Sequence, residues 1–354
     1  MNLKLDEKRR KNFSARLSII ILVPLIILAL LISFKNVNSD KKSSKVSDGK
    51  SLINKNDIAI KLQKDKNGNI FMEQNKIFKK YTIEISSAVE NVPYKQKEGS
   101  IVISFDKDVP LKLTSGIRDS DSKDMYLTYD NGKDDLIINK KYKDNNFVYI
   151  NQGKDNNEVV ILISKVKKPF THKAVLNPGH GGIDSGQSVG NLHEKDITLR
   201  IVKLMVSDLQ YNGVDVVLTR DKDVGQALAD IAAFANRNKP DVFMSVHING
   251  MDENPNLYQG IGVYYYDENG FQTEQRIRLA KTVLKHATQS DGWKNDGIFR
   301  DKLKVIRLCK YPSVLVEAGY LTNNIDRARL QNDKILGNLA NNISQGIVEY
   351  VNEK

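Results

Sequence analysis

The chain has 354 residues and a formal charge of +11, room for two ordinary domains with segments to spare. The basic excess is uneven: residues 1–50 carry +7, 51–170 carry +4, and 171–354 balance to zero. A nucleic-acid footprint needs a basic face on a folded domain, so the balanced C-terminal half argues against that class, and the single cysteine, Cys309, rules out an internal disulfide. Cys309 sits in the apolar stretch "VIRLCKYPSVLVEAG" and reads as a buried, inert thiol.

Residues 1–16 form a basic tail, with Lys4, Lys8, Arg9, Arg10, Lys11 and Arg16. The uncharged run "LSIIILVPLIILALLISF" follows at 17–34, just long enough as a helix to cross about 30 Å of hydrocarbon. Positive charge before it places the N-terminus inside and the rest of the chain outside. The expectation is a single-pass cell-membrane protein. Secretion after cleavage of a signal segment is the alternative, although Val37-Asn38-Ser39 imitates a cleavage site poorly and Lys35 intervenes. Residues 35–74 read as a linker, and its 38–57 stretch is rich in Ser, Lys and Asp without periodicity.

Short alternating segments come next: 81–86, 100–105, 125–129, 135–139, 147–151 and 158–164, separated by turn residues such as Asn131-Gly132 and Gly153. Period-two alternation at this spacing predicts a small all-β domain over 75–168. It contains no His and no Cys, which suits a binding module better than an enzyme.

After Pro169 the pattern changes. Apolar runs at 173–177, 214–219, 241–248, 260–267 and 313–319 read as strands, and 194–211, 226–238, 272–289 and 334–352 read as helices. Their alternation predicts an α/β domain over 171–354, a largely parallel sheet with helices on both faces. In such sheets the working groups gather beyond the carboxyl ends of the strands.

Four residues meet that rule. His180 follows the first strand in "LNPGHGGIDSG", His247 lies near the end of the strand 241–248, Glu317 lies near the end of 313–319, and Glu194 opens the first helix. Two neutral imidazoles and a carboxylate leave a zinc ion one open position, and a further carboxylate can serve as general base and acid. Each has a plainer reading: a hydrogen-bonded structural histidine for His180, a favourable helix-dipole charge for Glu194. Glu317, between Val316 and Ala318 in an apolar strand, is the hardest to explain without a partner or a task. His193 is a rival to Glu194, whereas His172 and His286 fall outside the cluster.

The segments "LNPGHGGIDSG", "HEKDITLRIVKLM", "VVLTRDKD", "AFANRNKPDVFMSVHIN", "LKVIR" and "PSVLVEAGYLTN" resemble, in order and spacing, the zinc-dependent N-acetylmuramoyl-L-alanine amidases over 173–352. The resemblance implies a zinc enzyme with His180, Glu194 and His247 as ligands and Glu317 as the catalytic residue. It implies a peptidoglycan hydrolase cutting the amide between N-acetylmuramic acid and the L-alanine of the stem peptide. The β region weakly resembles the wall-binding AMIN domain, on strand pattern and position alone. The expected partners are peptidoglycan, the membrane and an activating protein, with no nucleic acid. Alternatives are a non-catalytic wall-binding or regulatory protein that keeps the fold, and a zinc carboxypeptidase. The latter usually needs a close His-x-x-Glu pair, whereas thirteen residues separate His180 from Glu194.

Two positions depart from the family's pattern. Asn177 stands where Asp is usual, and Ile231 where Arg is usual, which puts the surroundings of the ligands and substrate contacts in doubt. Asn177 is placed to hold the turn or a nearby ligand. The stretch between His247 and Glu317 is too short for the self-blocking helix of some relatives.

Overall fold

The structure, a computed structural model, describes residues 70–86, 92–106, 125–130, 133–153 and 156–353. The expected membrane segment at 17–34 lies outside these residues. Among the described residues no helix is long and apolar enough to cross a membrane.

The all-β region consists of β1 (Ile70–Gln74), β2 (Phe78–Ser86), β3 (Tyr94–Gln96), β4 (Ser100–Asp106), β5 (Met125–Asp130), β6 (Lys133–Asn139), β7 (Phe147–Asn151) and β8 (Asn156–Ser164). They form two antiparallel four-stranded sheets, ordered β1-β2-β8-β7 and β3-β4-β6-β5. Alternation decides which face is buried: Tyr81, Ile83, Val159 and Ile161 of the first sheet share one core with Ile101, Ile103, Leu136 and Ile138 of the second. The region is therefore a β-sandwich. It begins earlier than residue 75, because β1 occupies the end of the stretch read as linker. "IFMEQ" lies between Asn67-Gly68-Asn69 and Asn75, so its bounds carry a strand signal that the linker reading passed over.

The α/β domain follows: β9 (His172–Pro178), the small ribbon β10 (Ser188–Val189) and β11 (Leu192–His193), α1 (Glu194–Tyr211), β12 (Val214–Leu218), α2 (Leu228–Asn238), β13 (Val242–Asn249), β14 (Ile261–Tyr265), α3 (Thr273–Ala287), β15 (Asn295–Arg300), α4 (Lys304–Arg307), β16 (Ser313–Tyr320), α5 (Asn324–Leu330) and α6 (Asp333–Asn352). The six-stranded sheet is ordered β12-β9-β13-β16-β14-β15. Its first four strands are mutually parallel. β14 runs antiparallel to β16, and β15 runs parallel to β14. The sheet is thus mixed, and the expectation of a largely parallel one holds only for the four strands around the site. β15 escapes sequence reading because "NDGIFR" opens with turn-forming residues.

Helices cover both faces. On one, Ile201 and Met205 of α1, Val283 of α3 and Leu339 and Ile343 of α6 pack on Leu176, Met244, Val246 and Val316. On the other, Ile231 and Ala235 of α2 and Ile306 of α4 pack on Val175, Phe243 and Leu315. Ile231 is thus a core residue, and its apolar side chain belongs to that layer. Cys309 joins the same cluster at 3% exposure, as expected of an inert thiol.

The sandwich meets the α/β domain at the end of α1. Phe78, Val160 and Leu162 pack with Phe147, Phe170 and Tyr211. Asn75 Nδ2 donates to the Tyr211 carbonyl at 2.8 Å, Lys80 Nζ reaches Asp208 at 3.2 Å, and the Tyr149 hydroxyl bonds to Gln210 Oε1.

Candidate metal centre

His180 sits just past β9 in a turn whose backbone is itself specialised. Its φ is +59°, a left-handed conformation uncommon for residues other than glycine. Gly181 and Asp184 close a tight hairpin by paired backbone hydrogen bonds of 2.9 and 3.3 Å. Asp184 Oδ2 lies 2.8 Å from His180 Nδ1, which leaves Nε2 to face inward. Glycines supply the room. A Cβ on Gly186 would lie 2.4 Å from Glu194 Oε2 and 2.6 Å from the His180 ring, and one on Gly179 would lie 2.6 Å from the His247 ring.

Glu194 is the first residue of α1 and is only 3% exposed. Its Oε1 accepts from the Ile248 N–H at 2.9 Å and lies 2.9 Å from His247 Nδ1. Its Oε2 accepts from the Gln187 N–H at 2.8 Å and lies 3.2 Å from His180 Nε2. The two imidazoles meet edge to face with centroids 4.9 Å apart. Ligand atoms of His180, Glu194 and His247 all lie within 4.8 Å of one another, a group that can hold a metal ion.

The electrostatics fit that use. Burial works against the charged carboxylate, yet hydrogen bonds from His180 and then His247 hold Glu194 down at about 2. Burial likewise opposes a charged His180 ring, but Glu194 and then Asp184 lift it to about 9. Loss of the proton from His180 Nε2, which faces Glu194 at 3.2 Å, would free that nitrogen as a ligand for a cation.

Glu317 stands beside this group. β13 and β16 run parallel with His247 in register with Glu317. Both side chains are half-exposed where their strand neighbours are buried. The remaining histidines lie elsewhere: His193 bonds to Ser188 Oγ at 2.9 Å, His172 lies 3.7 Å from Asp241, and His286 lies 2.7 Å from Glu349.

Several supporting residues are not evident from sequence. Arg220, 3% exposed, donates to the carbonyls of Pro178 (3.1 Å), Gly179 (2.8 Å) and Lys195 (2.9 Å), tying the His180 turn to the start of α1. Asp223 accepts the Gly182 N–H at 2.7 Å, while Lys195 donates to the Gly182 carbonyl at 2.9 Å and to Asp223 at 2.7 Å. The stretch "VVLTRDKD" marks Arg220 and Asp223 as members of a motif but not as struts of this loop. Asn177, at 1% exposure, contacts none of the three ligands; its partners are Thr219, Ser245 and the Pro178 carbonyl. Between His247 and Glu317 the one long helix, α3, packs into the core.

Fold and site together define a class: an α/β domain with a two-histidine, one-carboxylate group able to hold a metal ion at the carboxyl end of its parallel strands. Residues 174–349 match the family N-acetylmuramoyl-L-alanine amidase. Through this half, the chain belongs to that family. It is 36% identical to the endolysin of Bacillus phage SPP1, over 51% of this chain and 66% of that protein. It is 30% identical to the N-acetylmuramoyl-L-alanine amidase LytC of Bacillus subtilis, over 53% of this chain and 38% of LytC. Among solved structures, the amidase AmiC2 of Nostoc punctiforme is 37% identical, covering 51% of this chain and 97% of that one at a TM-score of 0.48.

Proposed function

We propose that this chain is a peptidoglycan hydrolase that cleaves the amide joining N-acetylmuramic acid to the L-alanine of the stem peptide. Its cofactor is zinc, held by His180, Glu194 and His247. The supporting observation is the buried Glu194 carboxylate gripped by two ring nitrogens, with Glu317 one strand away. The donor set fits the ion: two imidazoles and one carboxylate are the composition of catalytic zinc sites with an open position.

Bound zinc supplies Lewis-acid polarisation of the amide carbonyl and makes water acidic near neutrality. Glu317 takes a proton from the attacking water and delivers it to the departing alanine nitrogen. Asp184 fixes the orientation of the His180 ring through Nδ1. The backbone N–H groups of Gln187 and Ile248 hold both Glu194 oxygens in place.

Glu317→Gln is expected to keep zinc stoichiometry and lose wall hydrolysis by about 10²–10⁴-fold, the contribution of a positioned acid–base. A rate within about tenfold of the parent would remove Glu317 from this role.

For location, residues 17–34 form a retained single-pass anchor that holds the enzyme outside the membrane. Its sequence supports this reading, being uncharged and preceded by six basic residues. Release of the chain by alkaline carbonate washing of membranes would count against it.

A further inference from the structure

A cleft of about 730 Å³ separates the β-sandwich from the α/β domain, and no metal-centre residue lines it. One wall is the outward face of the sheet β1-β2-β8-β7, where Lys80, Thr82 and Glu84 alternate with the buried Tyr81, Ile83 and Ile85. The other wall is the outer stripe of α1, with Arg200, Leu204, Ser207 and Asp208, together with the first turns of α6. The apolar contact around Phe78 and Tyr211 joins the two domains near the end of α1.

The lining narrows the choice of ligand. Its volume falls within the roughly 300–1,000 Å³ of small-ligand sites. Among the described residues that line it, Val160 and Leu204 are the only wholly apolar side chains, which disfavours a lipid or an apolar peptide. Its charges largely offset one another: Lys80 lies 3.1 Å from Glu73 and 3.2 Å from Asp208, and Arg200 lies 2.7 Å from Asp333. With no basic excess, a polyanion gains little there. What remains is a set of side-chain amides: Asn332 Oδ1 is taken by the Ile335 N–H, Asn338 Nδ2 by Asp291 and Asn151 by Glu158, whereas Gln152 and Asn341 keep both a donor and an acceptor for a ligand. Such groups complement hydroxyls and acetamido groups.

Gly337 gives an independent indication. It lies inside α6 and lines the cleft, and a Cβ there would meet nothing within 4 Å. Glycine weakens a helix interior relative to alanine, and packing within the protein does not require it here. Its missing side chain widens the cleft.

We propose that this cleft binds a neutral N-acetylated oligosaccharide, the glycan backbone of the wall, as a site separate from the metal centre. The proposal rests on the reading of the chain as a peptidoglycan hydrolase. It assigns the cleft to holding the strand while the metal centre works on a stem peptide.

The test titrates the full chain, in detergent, with the tetramer of β-1,4-linked N-acetylglucosamine, which has no peptide to cleave, and follows the binding heat. The parent is expected to saturate. Gly337→Trp, which fills the cleft, should bind at least tenfold more weakly, and Gly337→Ala should stay within twofold. Asn341→Ala, at an exposed position, should weaken binding without adding bulk. Zinc content and turnover of a soluble muramoyl-peptide should be unchanged in all three variants. Failure of the parent to bind, or equal binding by Gly337→Trp, would overturn the proposal. A parent that binds the tetramer but leaves the muramoyl-peptide intact would uphold the cleft and remove the amidase reading instead.

Discussion

Asn177 accepts a hydrogen bond from the Ser245 hydroxyl at 2.7 Å, and so links β9 to β13 beneath the metal centre. With its bond to Thr219, also 2.7 Å, it pins the end of β9 to both neighbouring strands. The departure from the family's Asp therefore falls on strand cohesion, and it is Asp184 that holds a ligand ring. Asn177→Ala is expected to lower stability by about 1–3 kcal/mol, because buried partners lose their hydrogen bonds. Its zinc affinity should move by less than about tenfold. Asp184→Ala should do the reverse, weakening zinc by about 10–100-fold with little change in the unfolding of the metal-free protein. Competitive chelator titration alongside urea melts separates the two. A large zinc effect at Asn177 would contradict the geometry.

Gly186 and Gly190 form a matched pair. Both have left-handed φ, +65° and +59°, but only a Cβ on Gly186 strikes the ligands, whereas one on Gly190 meets nothing within 4 Å. Gly190→Ala should cost about 1–2 kcal/mol of backbone strain and leave zinc binding unaltered. Gly186→Ala carries the same strain and should lower zinc affinity beyond the roughly 100-fold seen for outer partners of a metal site. If the two variants lose zinc equally, crowding at Gly186 is not what limits the site.

Arg220 should behave as a strut. Arg220→Met leaves the carbonyls of Pro178, Gly179 and Lys195 without their charged donor. A loss of about 3 kcal/mol or more is expected in the presence of chelator. Zinc affinity should fall as well, because the His180 turn and the start of α1 are no longer held together. Arg220→Lys should recover little, since an ammonium cannot reproduce the fork of a guanidinium.

The buried thiol gives a pH signature. Burial pushes Cys309 above its ordinary value of 9.0. The unfolded chain therefore ionises first, and the thiol's contribution to stability is present below the ordinary value and fades as pH rises through the folded one. Labelling by a thiol reagent at pH 8 should proceed no faster than unfolding. Rapid stoichiometric labelling of the native protein would show that the α2–α4 layer opens readily.

Much of this architecture was legible before the structure. Glu317 stands out as a carboxylate in an apolar strand, whereas His180 and Glu194 each have a plainer reading alone and are marked with His247 by the resemblance; His180, Glu194 and His247 converge. The helix bounds of α1 follow directly from its apolar period. Strand direction did not follow, because nothing in "GIGVYYYD" tells a parallel neighbour from an antiparallel one, and β14 reverses. Arg220 and Lys195 were illegible for another reason. They act on backbone carbonyls far along the chain, and a carbonyl carries no sequence signal.

Helix α1 begins with a metal-centre carboxylate and ends against the sandwich, at Gln210 and Tyr211. Its 18 residues make a rod of about 27 Å. The helix is therefore a gauge. Whatever meets the sandwich at that end is kept at a set stand-off from the metal centre. Lengthening the rod by one turn would displace the sandwich contact and leave the ligand group at its start in place.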